Sequence, residues 1–540
     1  MKKIISIIFV SIIFILSSCS DFLTVEPTGT LMPDTYYNSE KDIEAALTGV
    51  YSTLKDRGLY GQNYSINLGN DADESYYFRS TYVYGPVIYN HTAYDNSVTN
   101  LWKTLYDGIS RANLLLHQIK FSNNIDEEFL SRIKGETLFL RAYYYFILVQ
   151  TFGDVPLILE PYLTPENLEV ERTPIKDVYS QIVSDMETAE KMVLPIKEIG
   201  HGGRVSKSAV RGILARVYLR MTGEPLNDRS QLSNARKWAS IVVNDYEAQH
   251  ELNNSYEQVF INYAQDKYDI KESIWEVEFW GNLTDSYVLT GVIGGQNGIA
   301  NNYDSNIGIA RGFYAATKTL YDLYDENDLR RDWNIAPFKY SSTEDPANEG
   351  GYITEKIAVS NLWTRYEGKY RREYETLLPK AAHETPINYP LLRYSDVLLM
   401  LAEAENELHQ MPTQTAYDAI NKVRRRAFGK LLPDATDIDE YDFKDLTYDE
   451  FTKQLRDERS RELCFESLRK NDLIRWGIFV DRMHEVADII ESDRNTQTVH
   501  VPTRYCDRAF VNVTEKHLLQ PIPAKEININ KKLSQNDLWE

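Results

Sequence analysis

The chain has 540 residues, 43% of them hydrophobic, and a formal net charge of −21. That length can bury two or three average domains or one large helical body, while the acidic field repels phosphate backbones and excludes a nucleic-acid partner. Three cysteines are too few for a disulfide scaffold.

Met1-Lys2-Lys3 and the apolar run Ile4 to Leu16 form the charged and hydrophobic parts of an export signal. The run is too short to span about 30 Å of hydrocarbon. Ser17 and Ser18 suit a peptidase cleft, and Cys19 directly after them is the residue that would receive lipid. Residues 1–18 are therefore read as a lipoprotein signal peptide and 19–35 as a lipid-anchored linker. An ordinary signal peptide with a chance cysteine is the alternative. Several acyl chains give stable anchoring where one gives marginal binding. Later apolar runs are short and broken by charge.

Residues 36–244 read as a helical N-terminal region. Asp34 is placed to start a helix over 40–54, and 57–100, rich in Gly, Asn, Asp and Tyr, reads as structured loops. Helix returns over 101–120. The next helix, 127–150, has a wide apolar face and so belongs at the centre; Phe152-Gly153-Asp154-Val155-Pro156 stops it. Thr173 and Pro174 read as the N-cap and first residue of a further helix, followed by helices over 206–221 and 232–243. Residues 245–390, with many Asn, Gly, Tyr and Trp, read as an irregular loop-rich lobe. Residues 391–540 form a C-terminal helical region, with helices over 391–408, 413–427, 448–468 and 471–483, then loops with a short strand at 510–513. Helix pairs recur at roughly tetratricopeptide length, which predicts a mostly α fold, a superhelix of helix pairs carrying the irregular lobe.

No zinc spacing and no nucleophile elbow occur. Gly294-Gly295 lacks the setting and the lysine of a phosphate loop, and Asp71 and Asp73 lack the other ligands of a calcium loop. No cofactor, metal or catalytic group is expected. Glu458 and Glu462 share a helical face, and paired cleft carboxylates about 5–9 Å apart would serve a surface glycoside hydrolase. The surrounding Arg456, Arg459, Arg461, Arg469 and Arg475 favour ion pairs between helices instead. Arg424-Arg425-Arg426 reads as a salt-bridged face, with Asp396, Glu403 and Glu405 as candidate partners. Trp476 is expected in the core beside Leu473 and Ile474. Cys464 reads as a small buried hydrophobe, with Cys506 as a possible disulfide partner.

Tyrosine is abundant, at 38 residues, and combines a flat apolar ring with a hydroxyl. Sugar recognition needs such rings beside Asp, Asn, Gln and Arg. Two regions supply both. The first holds Asp73, Tyr76 and Tyr77 with Asp71, Glu74, Phe78 and Arg79; strand alternation lets only one of Tyr76 and Tyr77 stack on a ligand. The second is the lobe, with Trp280, Asn282, Tyr303, Trp333 and Trp363, and also Tyr287, Gln296, Asn297 and Tyr366. For any single ring, core packing is the competing explanation.

Several segments together resemble one family from end to end. They are Cys19-Ser20-Asp21-Phe22-Leu23 with Pro27, Arg111-Ala112-Asn113, and Glu136 to Gln150 with Phe152 to Leu157, which contains Arg141. Further on come Arg393-Tyr394-Ser395-Asp396 with Glu403, Ile420 to Ala427 with Arg424, and Glu458 to Glu466 with Glu462. Asp472-Leu473-Ile474-Arg475-Trp476-Gly477 and Leu519 to Ile527 complete the set. Their order and spacing resemble the SusD/RagB family of outer-membrane nutrient-binding lipoproteins of Bacteroidetes. The chain departs from it at Lys470-Asn471 and in ending Asp537-Leu538-Trp539-Glu540. The resemblance implies four tetratricopeptide-like pairs with a ligand-binding lobe. It also implies a SusC-like TonB-dependent transporter as partner and an oligosaccharide or polysaccharide as cargo. Arg141, Arg393, Asp396, Glu403, Arg424, Glu462, Arg475 and Trp476 would be structural. Some relatives serve peptide uptake, so a peptide-derived nutrient is the alternative cargo.

Overall fold

The computed structural model describes residues 37–540 except 70, 123–124, 163–168, 285–288, 349, 497–499 and 503–504. Cys19, the signal segment, the linker to residue 35 and Tyr287 lie outside the described residues. No described helix is long and apolar enough to cross a membrane.

Helix α1 spans Glu40–Tyr51 and starts at Ser39, whose hydroxyl accepts from the Asp42 N–H at 3.2 Å. Asp34, the expected start, lies outside the described residues. α2 (Asn96–Gln118) is capped by Asp95 and α3 (Glu127–Phe152) by Asp126. From Leu138 to Gln150 every residue of α3 is buried, as befits a helix with apolar side chains on nearly all sides. Gly153 ends it at φ +74°, a left-handed position that favours glycine. Asp154, next in line, accepts the Ile175 N–H at 2.7 Å and so caps α4 (Ile175–Glu190), where Pro174 rather than Thr173 holds the N-cap position. The turn that stops one helix thus starts its neighbour.

α5 (Lys207–Met221), capped by Ser206, pairs with α6 (Leu232–Val243). α7 (Tyr256–Ala264) follows, then an irregular stretch whose strands, with one earlier strand, form three two-stranded ribbons. β1 (Ser75–Tyr77) pairs with β3 (Tyr314–Ala316), β2 (Ser273–Val277) with β6 (Tyr389–Arg393), and β4 (Phe338–Glu344) with β5 (Tyr352–Ala358), all antiparallel.

The expected helix from 391 is instead the end of β6 followed by α8 (Tyr394–His409). Tyr389–Arg393 is buried at every residue, and a short apolar run of that kind has no period to separate strand from helix. α9 (Gln414–Ala427) is capped by Thr413, and α10 (Tyr448–Leu463) by a capping box of Thr447 and Glu450. The helix expected over 471–483 is two, α11 (Arg469–Arg475) and α12 (Phe479–Thr496), separated at Gly477 with φ +69°. The expected strand at 510–513 is a helical turn, Arg508–Asn512.

α3 packs on α2 and α4, α5 on α6, and α8 on α6, α9 and α10, so helix pairs stack in tetratricopeptide fashion and α8 joins the two helical regions. One buried core runs from Ile43 to Leu533. At Gly212 of α5 an added Cβ would lie 2.4 Å from Leu392 Cδ2, so a larger residue there would force the Leu392 side chain of β6 to move.

Candidate functional site

The charged motif residues form an internal frame. Glu462 accepts from Arg393 at 2.9 Å, Arg426 at 2.6 Å and Arg330 at 3.0 Å, all buried. Glu458 pairs with Arg330, Arg424 and Arg461. Burial alone would push both carboxyls up; the guanidiniums outweigh it and hold Glu462 at about 2 and Glu458 lower still. Both carboxylates are fully buried against these arginines, which removes the best candidates for a hydrolase.

The expected partners of the 424–426 run are engaged elsewhere. Asp396 pairs with Arg216 and Arg459, Glu403 with Arg475, and Glu405 with Arg236. Arg425 takes Asp442, and Arg426 takes Glu272 as well as Glu462. Arg141 forks onto Asp185 at 2.8 and 3.0 Å and reaches Asn113. Trp476 is half-buried and packs, as expected, against the core cluster that holds Leu473 and Ile474; its indole N–H donates to Glu403 at 2.8 Å and Arg475 lies 4.8 Å from its ring centroid.

This frame fixes the segment before β1. Asp71 pairs with Lys470 at 2.6 Å, and Asp73 with Arg469 and Arg482. Glu74 accepts from the Ser460 hydroxyl and the Phe465 N–H. Burial would raise Asp73, but Arg469 and Arg482 hold it at about 2, whereas burial prevails at Glu74 and pushes it to about 8. Asp73 is thus consumed internally and is not free for a ligand. The Asp71 and Asp73 carboxylates point to cations of their own chain, not to a metal.

β1 leaves this anchor with the β1–β3 register Tyr76↔Ala315 and Tyr77↔Tyr314. Tyr76 turns inward, 2% exposed, and its hydroxyl donates to the Trp363 carbonyl. Tyr77 turns outward and is half-buried. Its ring lies 4.5 Å from that of Tyr82 and 5.7 Å from that of Phe313. Phe78 contacts Tyr366 and Tyr505, and Arg79 sits 5.2 Å from the Phe313 centroid. Arg79 is held there by the Phe78 and Arg311 carbonyls, and Arg311 itself reaches His383 at 3.1 Å. The result is a group of half-buried rings, Tyr77, Tyr82 and Phe313 resting on the main core, with two guanidiniums among them and the exposed Val83 and Tyr84 at its border. Such a surface can stack on the apolar faces of sugar rings and donate to their hydroxyls.

The other candidates divide. Trp280 is 45% exposed and Tyr303 58% exposed, the latter stacked on Tyr352 at 5.5 Å. Trp333 is buried under the Arg371 guanidinium, 4.0 Å from its ring, and Trp363 is fully buried with its indole N–H on Asp493 at 2.9 Å. Asn282 is buried and accepts from the Thr284 N–H and hydroxyl, a turn-forming role. Trp333, Trp363, Tyr76 and Asn282 therefore present no open face to a ligand. Tyr82, Phe313 and Tyr505 were not singled out from sequence. Tyr82 alone carried a signal, as part of an aromatic run following Tyr77; only the β1–β3 register and the packing of 505 bring in the others.

Comparison with known proteins places this geometry. A model described as the SusD family matches residues 220–539, and one described as starch-binding associating with outer membrane matches residues 21–219. The chain belongs to the SusD family. SusD-like protein P25 of Formosa agariphila is 27% identical, with 98% of each chain covered. A SusD homolog of Bacteroides thetaiotaomicron of known crystal structure is 27% identical, with 93% of this chain and 98% of that one covered and a TM-score of 0.82. A laminarin-binding SusD-like protein shares the fold at 22% identity and a TM-score of 0.68, with 93% of this chain and 100% of that one covered. Family membership gives the chain a general role in surface glycan binding and delivery at the outer membrane, alongside a SusC-type transporter.

Proposed function

We propose that the protein, lipid-anchored through Cys19, captures an oligosaccharide on the Tyr77, Tyr82 and Phe313 surface and passes it to a SusC-like TonB-dependent transporter. Trp280 and Tyr303 are further contacts in this reading. The observation that carries it is the split at β1: Tyr76 is buried as part of the frame, while Tyr77 is directed outward into a group of rings that remain partly open. Half-buried rings have little further surface to desolvate against a sugar face, and their packed base spares the entropy of ordering them. Capture beside the pore raises local ligand concentration, so modest affinity suffices.

Calorimetric titration of residues 21–540 against a panel of neutral oligosaccharides and short peptides tests this. Binding to one glycan class that Tyr77→Ala weakens supports it. Heat with peptides alone moves the cargo to peptide-derived nutrients.

A further inference from the structure

Ten arginines are buried among the described residues, and nine of them hold a carboxylate at ion-pair distance. Arg220 is the exception. It is 4% exposed, donates from Nη1 to the Glu224 carbonyl, and leaves a buried Nε with no partner. The carboxylate it senses, Asp472, is already held by Arg459 and Arg475. A guanidinium does not shed its proton, and a buried charge without a counter-charge is costly. Arg220 is therefore short of an anion.

Arg220 borders a groove of about 830 Å³ between the start of α12 and the C-terminal residues, a size typical of small-molecule sites. Arg172 borders the same groove. It bonds the carbonyls of Asp154, Ser534 and Gln535 and the Asn536 side chain, but no carboxylate. Val480, Leu518 and Leu519 supply apolar wall, and Trp539 an aromatic one. Asp154, Glu224, Asp481, Glu515, Asp537 and Glu540 also line it, with Lys516 as a third cation, and none of these seven has an ion pair among the described residues. Those carboxylates repel a polyanion and accept hydroxyl hydrogens, so the arrangement suits one carboxylate on a neutral, hydroxyl-rich body.

We propose that this groove is a second ligand site, taking a sugar that bears a single carboxylate, such as a terminal uronate, with that carboxylate on Arg220 and Arg172. It shares no residue with the Tyr77 surface and does not depend on that reading.

The test is calorimetry at fixed ionic strength with a glucuronate-terminated disaccharide, its neutral glucose counterpart and a dipeptide. Wild type, Arg220→Met, Arg172→Gln and Tyr77→Ala proteins are compared. The uronate is expected to bind wild type at least tenfold more tightly than the neutral sugar. Arg220→Met should abolish that preference and Arg172→Gln weaken it severalfold, while Tyr77→Ala leaves it unchanged. Arg220→Met should melt no lower than wild type, unlike a substitution of a paired core arginine. Should that variant fail to fold, the wild-type preference and its severalfold weakening in Arg172→Gln decide the matter. Equal binding of uronate and neutral sugar, binding of neither, binding of the dipeptide alone, or unchanged uronate binding in a folded Arg220→Met or Arg172→Gln variant would overturn the proposal.

Discussion

The Arg469 guanidinium grips the Asp73 carboxylate with two parallel hydrogen bonds, 2.8 and 2.9 Å, across 396 positions of sequence. That pair couples the C-terminal helices to the strand that presents Tyr77, so the interior frame and the ring surface are parts of one structure. Removing Asp73 leaves Arg469 buried and unpaired. Asp73→Ala is expected to cost about 3–5 kcal/mol, the penalty of breaking a buried pair from one side. Urea unfolding checks this; a loss below about 1 kcal/mol would mean that the pair does not anchor β1.

The frame also sets the response to pH. Asp73, Asp472 and Glu462 are held at about 2, below their ordinary range. Their contribution is present above the unfolded carboxylate range near pH 4 and is lost as pH falls toward 2. Glu74 has the opposite sign. Its carboxyl is raised to about 8, so it stays protonated in the folded chain while the unfolded chain ionises, and stability is lost as pH rises from about 4.5 to 8. Glu74→Gln keeps acceptor and donor without a charge. Its melting temperature relative to wild type is expected to rise between pH 5 and pH 8, and a flat difference over that range would contradict the assignment.

Covered and open rings differ in what their loss does. Trp363→Ala opens a cavity in the interior and is expected to cost about 3–5 kcal/mol. Trp280→Ala, at an exposed ring, is expected to cost less than about 1 kcal/mol. Thermal melts of the two variants separate them.

Cys464 and Cys506 are free buried thiols, not a disulfide pair. Burial pushes Cys464 to about 12 and Cys506 to about 11, so neither supplies thiolate at neutral pH. Neither is expected to react with a thiol reagent until the chain unfolds, and a reductant should leave the melting temperature unchanged. Rapid labelling of the native protein would contradict this.

Much of the helical frame was legible. Ser206 and Thr413 mark helix starts by their capping chemistry, and the apolar breadth of α3 signalled its central place. β6 was not, because a five-residue run buried throughout carries no period. The motif arginines announced ion pairs without naming partners: Arg426 meets Glu272, 154 positions away, rather than its helical neighbours. The rings were the least legible part. Trp363 and Trp280 look alike as residue types, and Asp493 and the β1–β3 register, remote in sequence, decide which is covered.

The central claim is that the rings grouped around Tyr77 hold the cargo sugar. Its most direct test is titration of the wild type and of the Tyr77→Ala, Tyr82→Ala double variant with the oligosaccharide that binds best from the panel. A loss of at least tenfold in affinity in a double variant that stays folded, though it melts somewhat lower, is the predicted result. Full affinity in a folded double variant would contradict the account and move the cargo site away from this surface.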